Sequence, residues 1–320
     1  MMSTLAVTVD NLIKNYGSQN ALKGVSLEVN QGELFGIIGP DGAGKTTLIR
    51  ILATLLLPDA GQAEVLGMEV EGHYRQIRNR MGYMPGRFSL YQDLTVLENL
   101  QLFASIYQTT LEENYHLIKD IYQPLEPFKN RKAGNLSGGM KQKLALSCAM
   151  IHEPEILFLD EPTTGVDPVS RNEFWEMLIK LKARGITVLV STPYMDEADL
   201  CDRVALVQEG QILSVDTPVA IISRFPSKLF AIKSTDKYQL IKDLQAYPST
   251  ASVFAFGEYL HYTDKRAHSS ERAPEQALEQ ELHQYLQDRG HRDIHIKSIE
   301  PTIEDCFMAF MQKEHKWSAP

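Results

Sequence analysis

The chain has 320 residues, 43% hydrophobic and 23% charged, a balance that excludes wholesale disorder and predicts about two domains. A formal net charge of −9 argues against a general nucleic-acid coat or a polybasic membrane anchor. No apolar run approaches the ~18 to 20 residues of a bilayer-spanning helix, and the 3 cysteines, Cys148, Cys201 and Cys306, form no CxxC pair, which fits a reducing cytoplasm. Asp10 precedes the first base, Lys14, with no long apolar core nearby, so the start does not read as a signal peptide.

Up to about Phe225, short aliphatic runs alternate with segments of helical spacing, the pattern of an α/β domain. Strands are expected at Ala6 to Val9, Val25 to Val29 and Leu34 to Ile38, and a helical run begins near Thr46. Helices follow at Val96 to Tyr107 and Leu111 to Leu125, the second cut off by Pro124 and Pro127, as a helical insertion. A helix from Ser137 to Ile151, a strand Ile156 to Leu159, a helix Pro168 to Arg184 and a strand Ile186 to Ser191 come next. Val204 to Val207 and Gln211 to Val215 read as a hairpin around Glu209-Gly210. Leu34 to Ile38 and Ile156 to Leu159 lack polar alternation, as central strands buried on both faces should.

After Pro226 the character changes to a small α+β appendix. Its expected elements are strand Leu229 to Ser234, helix Tyr238 to Ala246, strand Val253 to Tyr262, helix Pro274 to Arg289, strand Ile294 to Ile299 and helix Ile303 to Gln312. Thr263 to Arg272 reads as a mobile loop, and His291 and His295 as surface or edge residues. Trp175 and Met177 on the Pro168 helix read as packing residues. The boundary is drawn at 227/228.

Gly39-Pro40-Asp41-Gly42-Ala43-Gly44-Lys45-Thr46 satisfies GxxxxGK[ST] between a buried strand and a helix, the context that separates a phosphate loop from a chance glycine-rich turn. Its backbone N–H groups and the following helix dipole suit phosphate oxygens. Lys45 would meet the β and γ phosphates, with Thr46 on Mg²⁺ and Thr47 beside it. An acidic pair, Asp160-Glu161, closes the strand Ile156 to Leu159; Asp160 would hold Mg²⁺ and Glu161 would be the general base toward water. Such a pair alone is as often a helix start, and gains meaning from the loop upstream.

Leu136-Ser137-Gly138-Gly139-Met140 resembles the LSGGQ signature of ATP-binding-cassette (ABC) ATPases, and Pro162 to Pro168 resembles their D-loop, with Asp167 facing a dimer partner. The resemblance implies a P-loop NTPase cassette with a RecA-like core, an antiparallel β subdomain and a helical subdomain, using ATP and Mg²⁺. It also implies a second cassette, whose ATP would meet Ser137, Gly138 and Gly139. Tyr16 matches the aromatic that stacks on adenine; core packing is the alternative. Leu90 to Leu100 and the closing Glu300 to Phe307 are similar to ATP-binding subunits of ABC-2 type exporters, implying a separate transmembrane permease and a peripheral place on the inner face of the cell membrane. A soluble non-transport ABC ATPase is the competing reading, weakened by the absence of heptads or a second phosphate loop.

Three positions depart from the family pattern. The Q-loop glutamine is Gly86, the switch histidine is Pro193, and the loop asparagine is Asp41, which is expected to face away from phosphate. An intact signature beside two lost catalytic side chains favours the weaker half of a heterodimer over a homodimer.

Overall fold

In the computed structural model, residues 4–268 and 275–317 are described, and they divide into two compact units, Met1–Pro218 and Val219–Pro320. The first unit opens with β1 (Leu5–Tyr16) and β2 (Gln19–Asn30), paired antiparallel. β1 runs well past Val9 because register shifts, with Asn11 at φ 47°, interrupt its alternation and hide the second half from a period-2 reading. β3 (Leu34–Ile38) follows, buried at every residue, then α1 (Lys45–Leu52), β4 (Ala60–Val65) and β5 (Met68–Glu69). A short α2 (Tyr74–Arg80) leads into β6 (Met81–Met84). The sequence reading missed β4, β5, α2 and β6; α2 buries only Ile77, too little to show a period.

Three helices come next: α3 (Val96–Ile106), α4 (Leu111–Tyr122) and α5 (Gly138–Met150). Thr95 and Thr110 each close a capping box with the glutamate three residues on, Glu98 and Glu113, satisfying backbone donors that the helix starts leave over. Hydrogen bonds from the capping backbone and hydroxyls hold both carboxyls below their usual range. Thr95→Ala is expected to destabilise the first unit by about 1 kcal/mol, a melting shift of roughly 2 to 4 °C by calorimetry. The expected helix Leu111 to Leu125 ends at Tyr122, and Gln123–Phe128 continue as a 3₁₀ turn, because Pro124 and Pro127 supply no N–H.

β7 (Ile156–Asp160), α6 (Pro168–Ala183), β8 (Thr187–Thr192), β9 (Arg203–Gln208) and β10 (Gln211–Asp216) complete the unit, with Trp175 and Met177 buried on α6. The main sheet has the order β10-β9-β3-β8-β7-β6, parallel except for the β9–β10 hairpin. The second sheet, β2-β1-β4-β5, is antiparallel. One core joins them: Val7, Val25, Phe35 and Ile37 pack with Leu48, Ile49, Ile51 and Leu52 of α1. The helix buries Leu48, Ile49, Ile51 and Leu52 and turns Arg50 outward. β8 lies between β3 and β7, so the chain ends of β3 and β7 face each other across Ser191 and Thr192. Ligands of parallel sheets bind at such carboxyl ends.

The second unit begins around α7 (Pro218–Ser223), whose Ile221 carbonyl accepts a 3.7 Å bond from Cys306 Sγ. β11 (Leu229–Lys233), α8 (Lys237–Ala246), β12 (Thr250–Phe256), β13 (Tyr259–Asp264), α9 (Glu275–Asp288), β14 (His295–Ile299) and α10 (Ile303–Trp317) follow. The sheet order β12-β13-β11-β14, antiparallel throughout, makes β11 to β14 a split βαβ, ferredoxin-like unit. The single strand expected at Val253 to Tyr262 is therefore a hairpin: Gly257, at φ +52°, and Glu258 form its two-residue turn, with Phe256 opposite Tyr259.

The loop expected at Thr263 to Arg272 is also corrected in part. Thr263 and Asp264 belong to β13, Lys265–His268 form a 3₁₀ turn, and 269–272 lie outside the described residues, as does Pro274. The buried Asp264 carboxylate accepts from Tyr262 Oη at 2.9 Å and from Arg266, which pins the segment. His291 is buried too, placed between Asp243 Oδ2 at 2.9 Å and Ser234 Oγ at 3.1 Å, whereas His295 is exposed.

Candidate functional site

The loop between β3 and α1 closes on itself around one ammonium group. Lys45 Nζ donates to Gly39 O at 2.8 Å and Pro40 O at 3.0 Å, and lies 3.1 Å from Glu161 Oε1. Gly44, the residue before α1, has φ +103°, and a Cβ there would come within 2.5 Å of Ala21 O, so only glycine lets the helix start this close to β2. A cavity of about 250 Å³ opens above the loop, lined by Gly42, Ala43, Gly44, Lys45, Thr46 and Thr47 on one side and by Tyr16 and Glu161 on others. Gln19 and Ala21 also line it; they sit on β2 just past the Gly17 turn, a hairpin that the sequence reading had not placed. Tyr16 is 48% exposed, which rules out the core alternative. Gly39 stays beneath the loop through its carbonyl, and Asp41 is exposed and outside the lining.

Thr46 and Asp160 meet across the strand order. Thr46 Oγ1 donates to Asp160 Oδ1 at 2.9 Å, and Ser191 Oγ donates to the same oxygen at 2.8 Å from the intervening β8. Ser191 also accepts from the Glu161 backbone N–H through both its carbonyl and its hydroxyl, each at 3.0 Å. Glu161 itself has φ +48°, unusual for a residue with a side chain. Burial, followed by the Asp160 charge, raises the Tyr83 phenol on the neighbouring β6. The arrangement offers backbone donors and one cation for phosphate, two hard oxygens for a divalent ion, and a carboxylate at the cavity wall.

None of Ser137, Gly138, Gly139 or Asp167 lines this cavity. Ser137 Oγ caps α5 by accepting from Met140 N at 3.3 Å, and Ser137 and Gly138 are exposed. Gly139 packs against α6, where a Cβ would fall 2.4 Å from Ser170 Oγ. Asp167 caps α6 through Ser170 N at 3.0 Å, a bond that holds its carboxyl below the usual range.

Of the two lost positions, Gly86 borders the acidic pair. A Cβ on Gly86 would lie 3.0 Å from Asp160 O and 3.7 Å from Glu161 Cβ. Pro193 directly follows β8, in a segment fastened by a network that no local sequence pattern announces. The buried Glu197 carboxylate accepts from Thr192 Oγ1 and, at 3.2 Å, from Thr163 Oγ1, and it lies 3.2 Å from Arg171 Nε. Arg171 also pairs with Asp196 at 2.9 Å and stacks on the Tyr194 ring at 4.3 Å.

A phosphate loop, an acidic strand end and a serine-capped glycine pair opening α5 together define a nucleotide-binding cassette, and the comparisons name its class. The ABC transporter family model matches residues 22–164. The Nod factor export ATP-binding protein I of Rhizobium sp. (strain N33) is 32% identical over 317 residues, covering 98% of this chain and 99% of its own length. The chain belongs to the family of ABC transporter ATP-binding proteins. The probable multidrug ABC transporter ATP-binding protein YbhF of Escherichia coli (strain K12) is 36% identical over 313 residues; these cover 96% of this chain but 52% of YbhF, so the chain spans about half the length of that relative. Among solved structures, an ATP-binding subunit of an ABC transporter shares 30% identity at TM-score 0.63, over 69% of this chain and 93% of that one. A dimeric bacterial ABC transporter cassette, MJ0796, shares 27% at TM-score 0.61, over 66% and 98%. Among the described residues, no helix is long and apolar enough to cross a membrane.

Proposed function

We propose that this chain is the ATP-binding subunit of an ABC-2 type exporter, serving a transmembrane permease from the inner face of the membrane, and that it is the slowly hydrolysing half of a pair of cassettes. The observation that carries the reading is a pair of substitutions, Gly86 next to Glu161 and Pro193 just after β8, which offer no side-chain donor or acceptor where the family resemblance puts a positioned catalytic group. Relatives named for multidrug transport and Nod factor export support the exporter class. The first unit would be the nucleotide-binding part and the second an accessory domain.

In this reading the N–H groups of residues 42–46 and Lys45 bind the phosphates, and the exposed Tyr16 ring takes the adenine. Thr46 and Asp160 would hold Mg²⁺, whose charge offsets that of the phosphates; their hydroxyl and carboxylate oxygens are the hard donors such an ion prefers. Glu161 exchanges Lys45 for a water molecule and accepts its proton. Ser137, Gly138 and Gly139 present the start of α5 to the partner's nucleotide, with Asp167 at the same junction.

The retained Glu161 favours a second reading, a homodimer that hydrolyses ATP adequately without the histidine. One variant, Glu161→Gln, separates them when ATP turnover is measured on the assembled transporter, and a second, Ser137→Arg, checks the signature that both readings require. Ser137→Arg is expected to abolish turnover in either case. Glu161→Gln leaves most turnover intact in the heterodimer and stops it in a homodimer, and that second outcome would discard the slow-half assignment.

A further inference from the structure

A cavity in the second unit plays no part in the nucleotide chemistry. α8 and α9 pack on one face of the sheet, through Phe230, Ile232, Leu260 and Tyr262. Strand alternation then sends Ala231, His261 and Lys297 to the other face, where Ala231 lies opposite His261 on one flank and opposite Lys297 on the other. A small residue between two long ones leaves a hollow. Ala231 helps to line a cavity of about 720 Å³ with Phe256 and Tyr259, and the cavity continues around the edge strand β14 to Glu279 and His283 of α9. That size is usual for small-molecule sites, roughly 300 to 1,000 Å³.

Its chemistry is one-sided. Among the described residues, Lys297 and three histidines, His261, His283 and His295, line it with one acid, Glu279, in a chain of net charge −9. His261 is held from behind: Nδ1 lies 2.6 Å from Asp305 Oδ1, and Asp305 in turn accepts from Thr302 N and Thr302 Oγ1, each at 2.8 Å. The ring stacks on Phe256 with centroids 3.9 Å apart. With Nδ1–H donated to the carboxylate, it is the imidazolium form of the ring that presents Nε2–H as a donor to an anion. Among the described residues no group of three His, Cys, Asp or Glu side chains is placed to hold a metal ion, so the histidines are available as hydrogen-bonding groups. Strands about 4.8 Å apart set His261 and Lys297 some 10 Å from each other over Ala231, a span that one anionic group bridges when both side chains reach toward it.

We propose that this cavity binds a small organic anion, with its carboxylate, sulfonate or phosphate between His261 and Lys297 and its apolar body against Phe256 and Tyr259. The reading is independent of the nucleotide site. Fluorescence titration of the full chain with 8-anilinonaphthalene-1-sulfonate tests it. One saturable site per chain is expected, weakened at least tenfold in Lys297→Glu and in His261→Gln and unchanged in Lys45→Ala. Lys297 is exposed, so its variant keeps the fold even if His261→Gln, by releasing Asp305, does not. Absence of saturable binding, an affinity unchanged by Lys297→Glu, or loss of binding in Lys45→Ala would each overturn the proposal; the last would place the probe in the nucleotide cavity.

Discussion

Lys45→Ala is expected to weaken binding of Mg-ATP by about 100-fold or more in isothermal titration, while the chain stays folded. The Lys45 ammonium is almost fully enclosed, with a side-chain exposure of 2%, and its three partners are two loop carbonyls and Glu161. A phosphate replacing Glu161 on that ammonium would gain a charge-assisted contact of about 3 kcal/mol, which corresponds to roughly 100-fold in affinity. Alanine removes the contact and leaves the loop carbonyls to water. Glu161 loses its partner as well, but its side chain is 22% exposed and water can hydrate it, so the melting temperature should fall by only a few degrees. Unchanged affinity would remove the phosphate loop from the ATP site.

The double variant Gly86→Gln, Pro193→His is expected to raise the ATP turnover of the isolated chain by about 100-fold in a steady-state phosphate-release assay. Positioned catalytic groups contribute ~10² to 10⁴ each, and two that act together do not add. The change at 86 asks the backbone at the end of β7 to give slightly, and the change at 193 falls in a segment held by its neighbours. A side chain at 86 starts 3.0 Å from Asp160 O and needs a shift of a few tenths of an ångström. At 193, the neighbouring backbone is secured by other groups: Tyr194 N donates to Thr192 Oγ1 at 3.1 Å, and Thr192 Oγ1 donates to Glu197. A variant that binds ATP normally yet turns over no faster would show that the two substitutions are not what slows the site.

The parts of the site that were legible in the sequence are those in which neighbours in space are neighbours in the chain. Residues 39–47 form a contiguous loop and helix start, and the buried runs of β3 and β7 stand out for lack of polar alternation. Ser191 was not legible as a site residue. It reaches Asp160 only because β8 is inserted between β3 and β7, and sheet order is not written in any local pattern. The same holds for Glu197, whose partners Thr163 and Arg171 come from 34 and 26 residues away in the chain. Gln19 was missed for a more local reason: the bulges in β1 hid the hairpin that carries it. The capping boxes at Thr95 and Thr110 were readable as T-x-x-E, and their use would have placed the starts of α3 and α4 without any appeal to periodicity.

Glu161 adopts its left-handed backbone with its N–H held twice by Ser191. A conformation of that kind costs on the order of 1 to 3 kcal/mol, and here the compensating bonds come from β8, inside the protein, with no ligand involved. Folding thus secures the Glu161 backbone, while its carboxylate is paired with Lys45 at 3.1 Å. Pro193 directly follows β8, so the strand that holds Glu161 also leads into the position where the proposed reading places a missing histidine. In the proposed reading, such a site has its backbone secured by folding and lacks a catalytic side chain, which a histidine at 193, two residues beyond Ser191, would return.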